Sequence, residues 1–155
     1  MVPLSFHLSG QNRILLISGP NAGGKSVCLK TIGLVQYMLQ CGLLVPAGHE
    51  SVFGLFAGIF IDIGDEQSLE NDLSTYSSHL INIREFIRHA NRNSLFLIDE
   101  FGTGSDPELG GALAEVFLEE FYENGAFGII TTHYSNLKVL ANELENATNV
   151  NMQFD

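Results

Sequence analysis

Positive charge is scarce in this chain: seven Lys and Arg stand against 18 Asp and Glu, a formal net charge of −11. A surface that grips phosphate backbones unaided needs clustered cations, so the chain by itself is expected to bind DNA or RNA poorly. An acidic module attached to a separate nucleic-acid-binding portion stays compatible with this. Cysteine is scarce too, with two in the sequence. Cys28 and Cys41 fall in one predicted helical segment, about three to four turns apart, too far to bridge along a straight helix, and read as reduced packing residues. Apolar runs long enough to span a bilayer are missing, and the opening Met1-Val2-Pro3-Leu4-Ser5-Phe6-His7 has no charged leader before a long apolar stretch. A cytoplasmic protein with no membrane attachment is expected. No internal repeat, low-complexity tract or linker breaks up the 155 residues, about the length of one domain able to bury a core without disulfides. With 45% hydrophobic and 16% charged residues, its surface is expected to be rather apolar, which points to a partner surface.

What the sequence does contain is Gly19-Pro20-Asn21-Ala22-Gly23-Gly24-Lys25-Ser26, the spacing of a phosphate-binding loop. Glycines let successive backbone N–H groups curl around phosphate oxygens, and a following helix adds its positive N-terminal end. Lys25 would reach the β- and γ-phosphates of a nucleoside triphosphate, and Ser26 would ligate Mg²⁺. The context fits: Ile14 to Ile17 is a buried-strand run, while Val27, Cys28, Ile32, Val35, Met38 and Leu39 recur at helical spacing. Read without that context, the same residues make an ordinary glycine-rich turn.

Further along, Gly42 to Gly54 is irregular, and Leu55 to Ile63 is apolar and aromatic before an acidic loop, Asp62-Ile63-Gly64-Asp65-Glu66-Gln67. Helical periodicity marks Thr75 to Ala90, Leu109 to Tyr122 and Leu137 to Leu144; Leu95 to Ile98 and Phe127 to Thr131 read as further buried strands. Buried strands alternating with amphipathic helices predict an α/β fold, a mainly parallel sheet flanked by helices. Phosphate loops in such folds lie at the carboxyl ends of the strands.

Asp99-Glu100 closes one apolar strand, where two adjacent acids are costly unless solvated or holding a cation. Facing the loop, Asp99 would support Mg²⁺ and Glu100 would position or deprotonate the water that attacks the γ-phosphate; facing solvent, they would be a plain loop entry. Thr131-Thr132-His133 follows another strand, so His133 emerges at the same sheet edge, as a γ-phosphate sensor or as a packed or solvent-facing histidine. In Leu73-Ser74-Thr75-Tyr76-Ser77-Ser78-His79, which precedes a predicted helix, Ser74, Thr75, Ser77 or Ser78 would each serve as an N-cap, or the helix start offers N–H groups and a hydroxyl to a phosphate. Gly102-Thr103-Gly104-Ser105-Asp106-Pro107 is a strand-to-helix turn with Pro107 placed to open a helix; Asp106 sits either in a simple loop or at a dimer seam.

Taken in order, the loop Gly19 to Ser26, Ser74-Thr75, Asp99-Glu100 and Thr131-Thr132-His133 resemble the ATPase domain of the MutS family, within the ABC-type P-loop NTPases. Asn21 after Gly-Pro and the doubled glycine before Lys25 are more specific than a generic phosphate loop. The stretches from Asp62 to Ser68, Leu73 to His79 and Gly104 to Pro107, with Val27 after Lys25-Ser26, look most like the second bacterial MutS paralogue. The resemblance runs from about Ser9 to Asp155. It implies ATP and Mg²⁺ as cofactors, with the whole loop and Val27 around the nucleotide, Glu100 and His133 catalytic, and Ser26 and Asp99 at the metal. It also implies a homodimer with composite sites, in which Ser74 would touch the γ-phosphate bound by the partner's Lys25; Asp106, grouped with the nucleotide-binding residues, would relay the nucleotide state from the dimer seam. Residues 1–155 are then expected to form a single ATPase domain excised from a longer protein, with DNA (in mismatch repair or recombination control) or the ribosome engaged by parts beyond this chain. The competing readings are a nucleotide-dependent dimerisation module without hydrolysis, a P-loop small-molecule kinase, for which this arginine-poor chain shows no clear lid, and a transporter ATPase subunit, whose Leu-Ser-Gly-Gly-Gln signature is missing.

Overall fold

Short aliphatic runs, each followed by a longer stretch of helical periodicity, leave the backbone little choice but strands that pair side by side and helices that cover them. The computed structural model describes residues 4–19, 24–64, 72–101 and 107–152, the side chains of 72–76 excepted. Along them run β1 (Ile14–Ser18), α1 (Lys25–Gln40), β2 (Gly58–Asp62), α2 (Asp72–His89), β3 (Ser94–Ile98), α3 (Pro107–Glu123), β4 (Phe127–Thr131), α4 (Ser135–Glu143) and β5 (Ala147–Asn151). The strands form a five-stranded sheet in the order β2-β3-β4-β1-β5, every neighbouring pair parallel. The α/β fold with helices on both faces is as expected.

Strand alternation divides the core. Ile14, Leu16, Phe96, Ile98 and Ile130 point to one face, packed with Ile83 of α2, Ala114, Leu118 and Phe121 of α3, and Leu137 and Ala141 of α4. Leu15, Ile17, Leu95, Leu97 and Ile129 point to the other, under Cys28, Leu29 and Ile32 of α1. Gly128 of β4 lies beneath the Phe96 ring, which stacks on Phe121 with centroids 4.1 Å apart. A Cβ on Gly128 would stand 2.0 Å from that ring. Gly128→Ala is therefore expected to cost about 1–3 kcal/mol through overpacking, read as a lower urea midpoint at unchanged slope; an unchanged midpoint would mean that the ring is free to move.

Two strands escaped the sequence reading, which named three. β2 was seen as an apolar run of unassigned type. β5, Ala-Thr-Asn-Val-Asn, carries no apolar run because it is a sheet edge with a half-buried, half-exposed pattern. Two helices carry apolar residues on the wet side: Val27 in α1, and Leu109 and Val116 in α3, are 67%, 56% and 51% exposed, although their spacing suggested the core face. An apolar surface was expected, and Leu34, Tyr37, Leu44, Val52 and Leu55 are also exposed. The free thiols of Cys28 and Cys41 are buried and exposed respectively, and burial pushes the Cys28 thiol up.

The end of α1 is fastened to the chain entering β2. Gln40 accepts from the Phe56 N–H at 2.9 Å and donates to the Phe56 carbonyl at 3.1 Å, while Gln36 donates to the Gly54 carbonyl at 2.9 Å. Two amide side chains thus stand in for the backbone partners that this irregular segment lacks.

Candidate functional site

Each central strand delivers its last residues to the carboxyl edge of the sheet, where the chain must turn. After β1, Gly19 takes φ 136°, and a Cβ there would meet the Met152 carbonyl oxygen at 3.2 Å. Gly24 takes φ 75° just before α1. Both conformations strain any residue with a side chain, so the glycines are required by geometry. Pro20, Asn21, Ala22 and Gly23, between them, lie outside the described residues. The N-terminus of α1 has no side-chain cap and no acid in its first turn. Helices ordinarily satisfy their first N–H groups with Ser, Thr, Asp or Asn and favour acids there; an N-terminus lacking both is the arrangement that suits an anion.

Lys25 begins α1 with its side chain 2% exposed, and its ammonium donates to the Gly19 carbonyl at 2.5 Å. Burial holds its pKa below the ordinary lysine value; the charges of Glu100 and Asp99 oppose that shift, and Lys138 of α4 adds to it. A buried ammonium within electrostatic range of two acids is poised for an anionic ligand whose charge would repay its desolvation. Ser26 is half-buried beside it, and Val27 is exposed on the outer side of the first turn. Ser18, fully buried, links β1 to β5 through Asn149 at 3.2 Å and through Asn151.

At the end of β3, Asp99 is buried and Glu100 has φ 49°, among the described residues the one non-glycine with positive φ. That left-handed backbone costs of order 1 kcal/mol and clusters at functional sites. The Glu100 N–H donates to the Thr131 hydroxyl at 2.8 Å, and that hydroxyl donates to Asp99 Oδ1. The Phe101 N–H donates to the Thr131 carbonyl at 2.9 Å, and the Thr132 hydroxyl donates to the Phe101 carbonyl at 3.3 Å. Glu100 is thereby turned out of the strand, its carboxylate 4.0 Å from His133 Nε2. That is ion-pair range for a protonated imidazole and too long for a hydrogen bond.

Lys25, Asp99, Glu100 and His133 thus meet at one edge, with Ser26 following Lys25 on the same helical turn. α2 already runs from Asp72, so Ser74, Thr75, Ser77 and Ser78 lie within the helix and the expected N-cap role for them does not hold; the side chain of Ser74 is outside the described residues, and Asp106 lies outside them altogether. Sequence reasoning gave no role to Thr131 or Lys138, and it read Asp62 as the start of an acidic loop, whereas Asp62 is a buried carboxylate at the end of β2 that accepts from Asn82 at 3.1 Å and pairs with His79 Nδ1 at 2.6 Å. Thr131 and Asp62 were within sight, inside the Thr-Thr-His run and the acidic stretch; Lys138 carries no local signal.

For Mg²⁺ the donor chemistry fits. Among the described residues no cluster of three or more His, Cys, Asp or Glu could cage an ion. Mg²⁺ bound beside phosphates takes one or two protein oxygens and fills the rest with phosphate and water; Ser26 and Asp99 offer that kind of set. No helix among the described residues is long and apolar enough to cross a membrane.

A parallel sheet with a glycine loop between its β1 strand and an uncapped helix, and acids at the end of β3 across β4 from that loop, defines a P-loop NTPase fold. Residues 15–155 match MutS domain V, and the chain belongs to that family. It is 50% identical over 155 residues to the Endonuclease MutS2 of Shouchella clausii (strain KSM-K16), covering 100% of this chain and 20% of that protein. To the Endonuclease MutS2 of Thermomicrobium roseum it is 49% identical over 154 residues, 99% of this chain and 19% of that one. To that of Clostridium botulinum (strain Loch Maree / Type A3) it is 49% identical, with 100% and 20% covered. The chain therefore spans about a fifth of these relatives' length, and the similarity supports the MutS2 branch of the family.

Proposed function

We propose that this chain is a single ATPase domain of a longer MutS-family protein, binding ATP with Mg²⁺ and hydrolysing it to ADP and phosphate. The observation that carries the reading is the uncapped start of α1, flanked by positive-φ glycines, with a buried Lys25 in range of Asp99 and Glu100. In this reading the loop from Gly19 to Gly24 and the first N–H groups of α1, through Val27, cradle the phosphates. Lys25 releases the Gly19 carbonyl and turns to the β- and γ-phosphates. Ser26 and Asp99 hold the metal ion, which would neutralise developing charge on the phosphate oxygens. Glu100 orients the attacking water and takes its proton, and His133 donates to the γ-phosphate or to that water.

Two copies close over two nucleotides, Ser74 and Asp106 reaching the partner's site, so that nucleotide state sets the closure of a dimer. DNA, in repair or recombination control, or the ribosome is engaged by other parts of the longer protein, in the cytoplasm. The endonuclease in the relatives' name is assigned to those parts as well. Phosphate release from ATP with Mg²⁺, followed across chain concentrations, tests this: a rate rising faster than linearly is expected from composite sites. Release linear in chain concentration would reject composite catalysis. ATP-dependent pairing with no release would make the domain a nucleotide-gated dimerisation module instead.

A further inference from the structure

We propose that the Thr131 hydroxyl is the positioning group that sets both acids of the site at once, aiming Asp99 at the metal ion and Glu100 at the water. The inference deepens the ATP and Mg²⁺ reading of this site and rests on it. Thr131 is the last residue of β4, the strand lying between β3, which carries the acids, and β1, which leads into the glycine loop. Its side chain is fully buried, so solvent cannot replace what it provides.

One hydroxyl carries one hydrogen and two lone pairs. Here the hydrogen goes to Asp99 Oδ1 and a lone pair takes the Glu100 N–H at 2.8 Å. Each contact has a separate consequence. Donation to Oδ1 fixes the rotation of the Asp99 carboxylate and leaves Oδ2 for the cation, as outer partners of metal ligands do generally. Acceptance from Glu100 satisfies an N–H that the left-handed turn at φ 49° has taken out of the sheet ladder. Without that acceptor the strained backbone has lost a compensating contact, and relaxation toward extended geometry would swing the Glu100 side chain away from His133. The neighbouring main-chain bond, Phe101 N–H to the Thr131 carbonyl at 2.9 Å, holds the two strand ends together whatever side chain stands at 131. Loss of the hydroxyl should therefore disturb the acids more than the fold.

The test uses Thr131→Val, which keeps the shape, Thr131→Ala as a second hydroxyl-free variant should valine fail to fold, and Thr131→Ser, which restores the hydroxyl. ATP affinity is measured with Mg²⁺ and with EDTA, and the ratio of the two is compared between proteins. The hydroxyl-free variants are expected to lose about tenfold or more of the Mg²⁺ enhancement, with affinity in EDTA unchanged, and Thr131→Ser to recover most of it. Where turnover is measurable, kcat should fall with little change in KM. A merely structural role would lower both affinities together and overturn the inference. So would full Mg²⁺ enhancement in both hydroxyl-free variants, or failure of serine to restore what they lose. A wild-type chain that binds no ATP under either condition would overturn the functional reading first, and this inference with it.

Discussion

Lys25→Met is expected to weaken ATP binding about a hundredfold, the loss of a charge-assisted contact of nearly 3 kcal/mol, while the nucleotide-free protein melts no lower than wild type. The two effects share one cause. Lys25 is buried, and its burial disfavours the ammonium. Methionine fills a similar volume with no charge to desolvate, and a gain of about 1 kcal/mol against the lost Gly19 hydrogen bond would raise Tm by about 2–4 °C. The pH dependence has a definite sign. Because the folded pKa lies below the ordinary 10.5, the burial cost is fully present below the folded pKa and vanishes as pH rises through it toward the unfolded value. The advantage of the methionine variant should thus shrink as alkaline pH is approached. Scanning calorimetry over that range, with and without MgATP, reads all three quantities. Undiminished MgATP stabilisation in the variant would remove Lys25 from the phosphate site.

Glu100→Gln is expected to slow phosphate release 10²- to 10⁴-fold, the usual contribution of a positioned base, and to leave ATP affinity level or slightly tighter. The amide keeps the shape, and the backbone N–H that holds residue 100 to Thr131 is untouched, so the change isolates the proton-accepting function. Removing a carboxylate near the triphosphate also removes a repulsion. Single-turnover release with ATP in excess of its dissociation constant is the measurement; turnover equal to wild type would exclude Glu100 as the base.

How much of this could be read from residues alone follows the burial of each strand. β1, β3 and β4 are largely buried on both faces and appear as short apolar runs, and Pro107 opens α3 as its ring geometry suggests. The loop glycines and Lys25 were legible from the spacing of the phosphate-loop pattern, and Asp99-Glu100 and His133 as polar residues following apolar strands. β5 was not, because an edge strand need satisfy only one neighbour and carries Asn and Thr. Thr131 was visible as a residue and invisible as a device: its role depends on the left-handed turn at Glu100 and on a pairing 32 residues away in sequence with Asp99, neither of which leaves a local pattern.

The amide bracket at the end of α1 has a mechanical consequence. The helix is 16 residues long, a rod of about 24 Å, with Lys25 at one end and, at the other, Gln40 gripping the irregular segment that feeds the sheet's outer edge. A tilt of about 5° pivoting on the lysine end would carry the glutamine end through about 2 Å, enough to part hydrogen bonds of 2.9 and 3.1 Å or to drag the segment with it. Were α1 to reorient around bound phosphates, the two glutamines would carry that movement as a coupling pin to the far rim of the sheet.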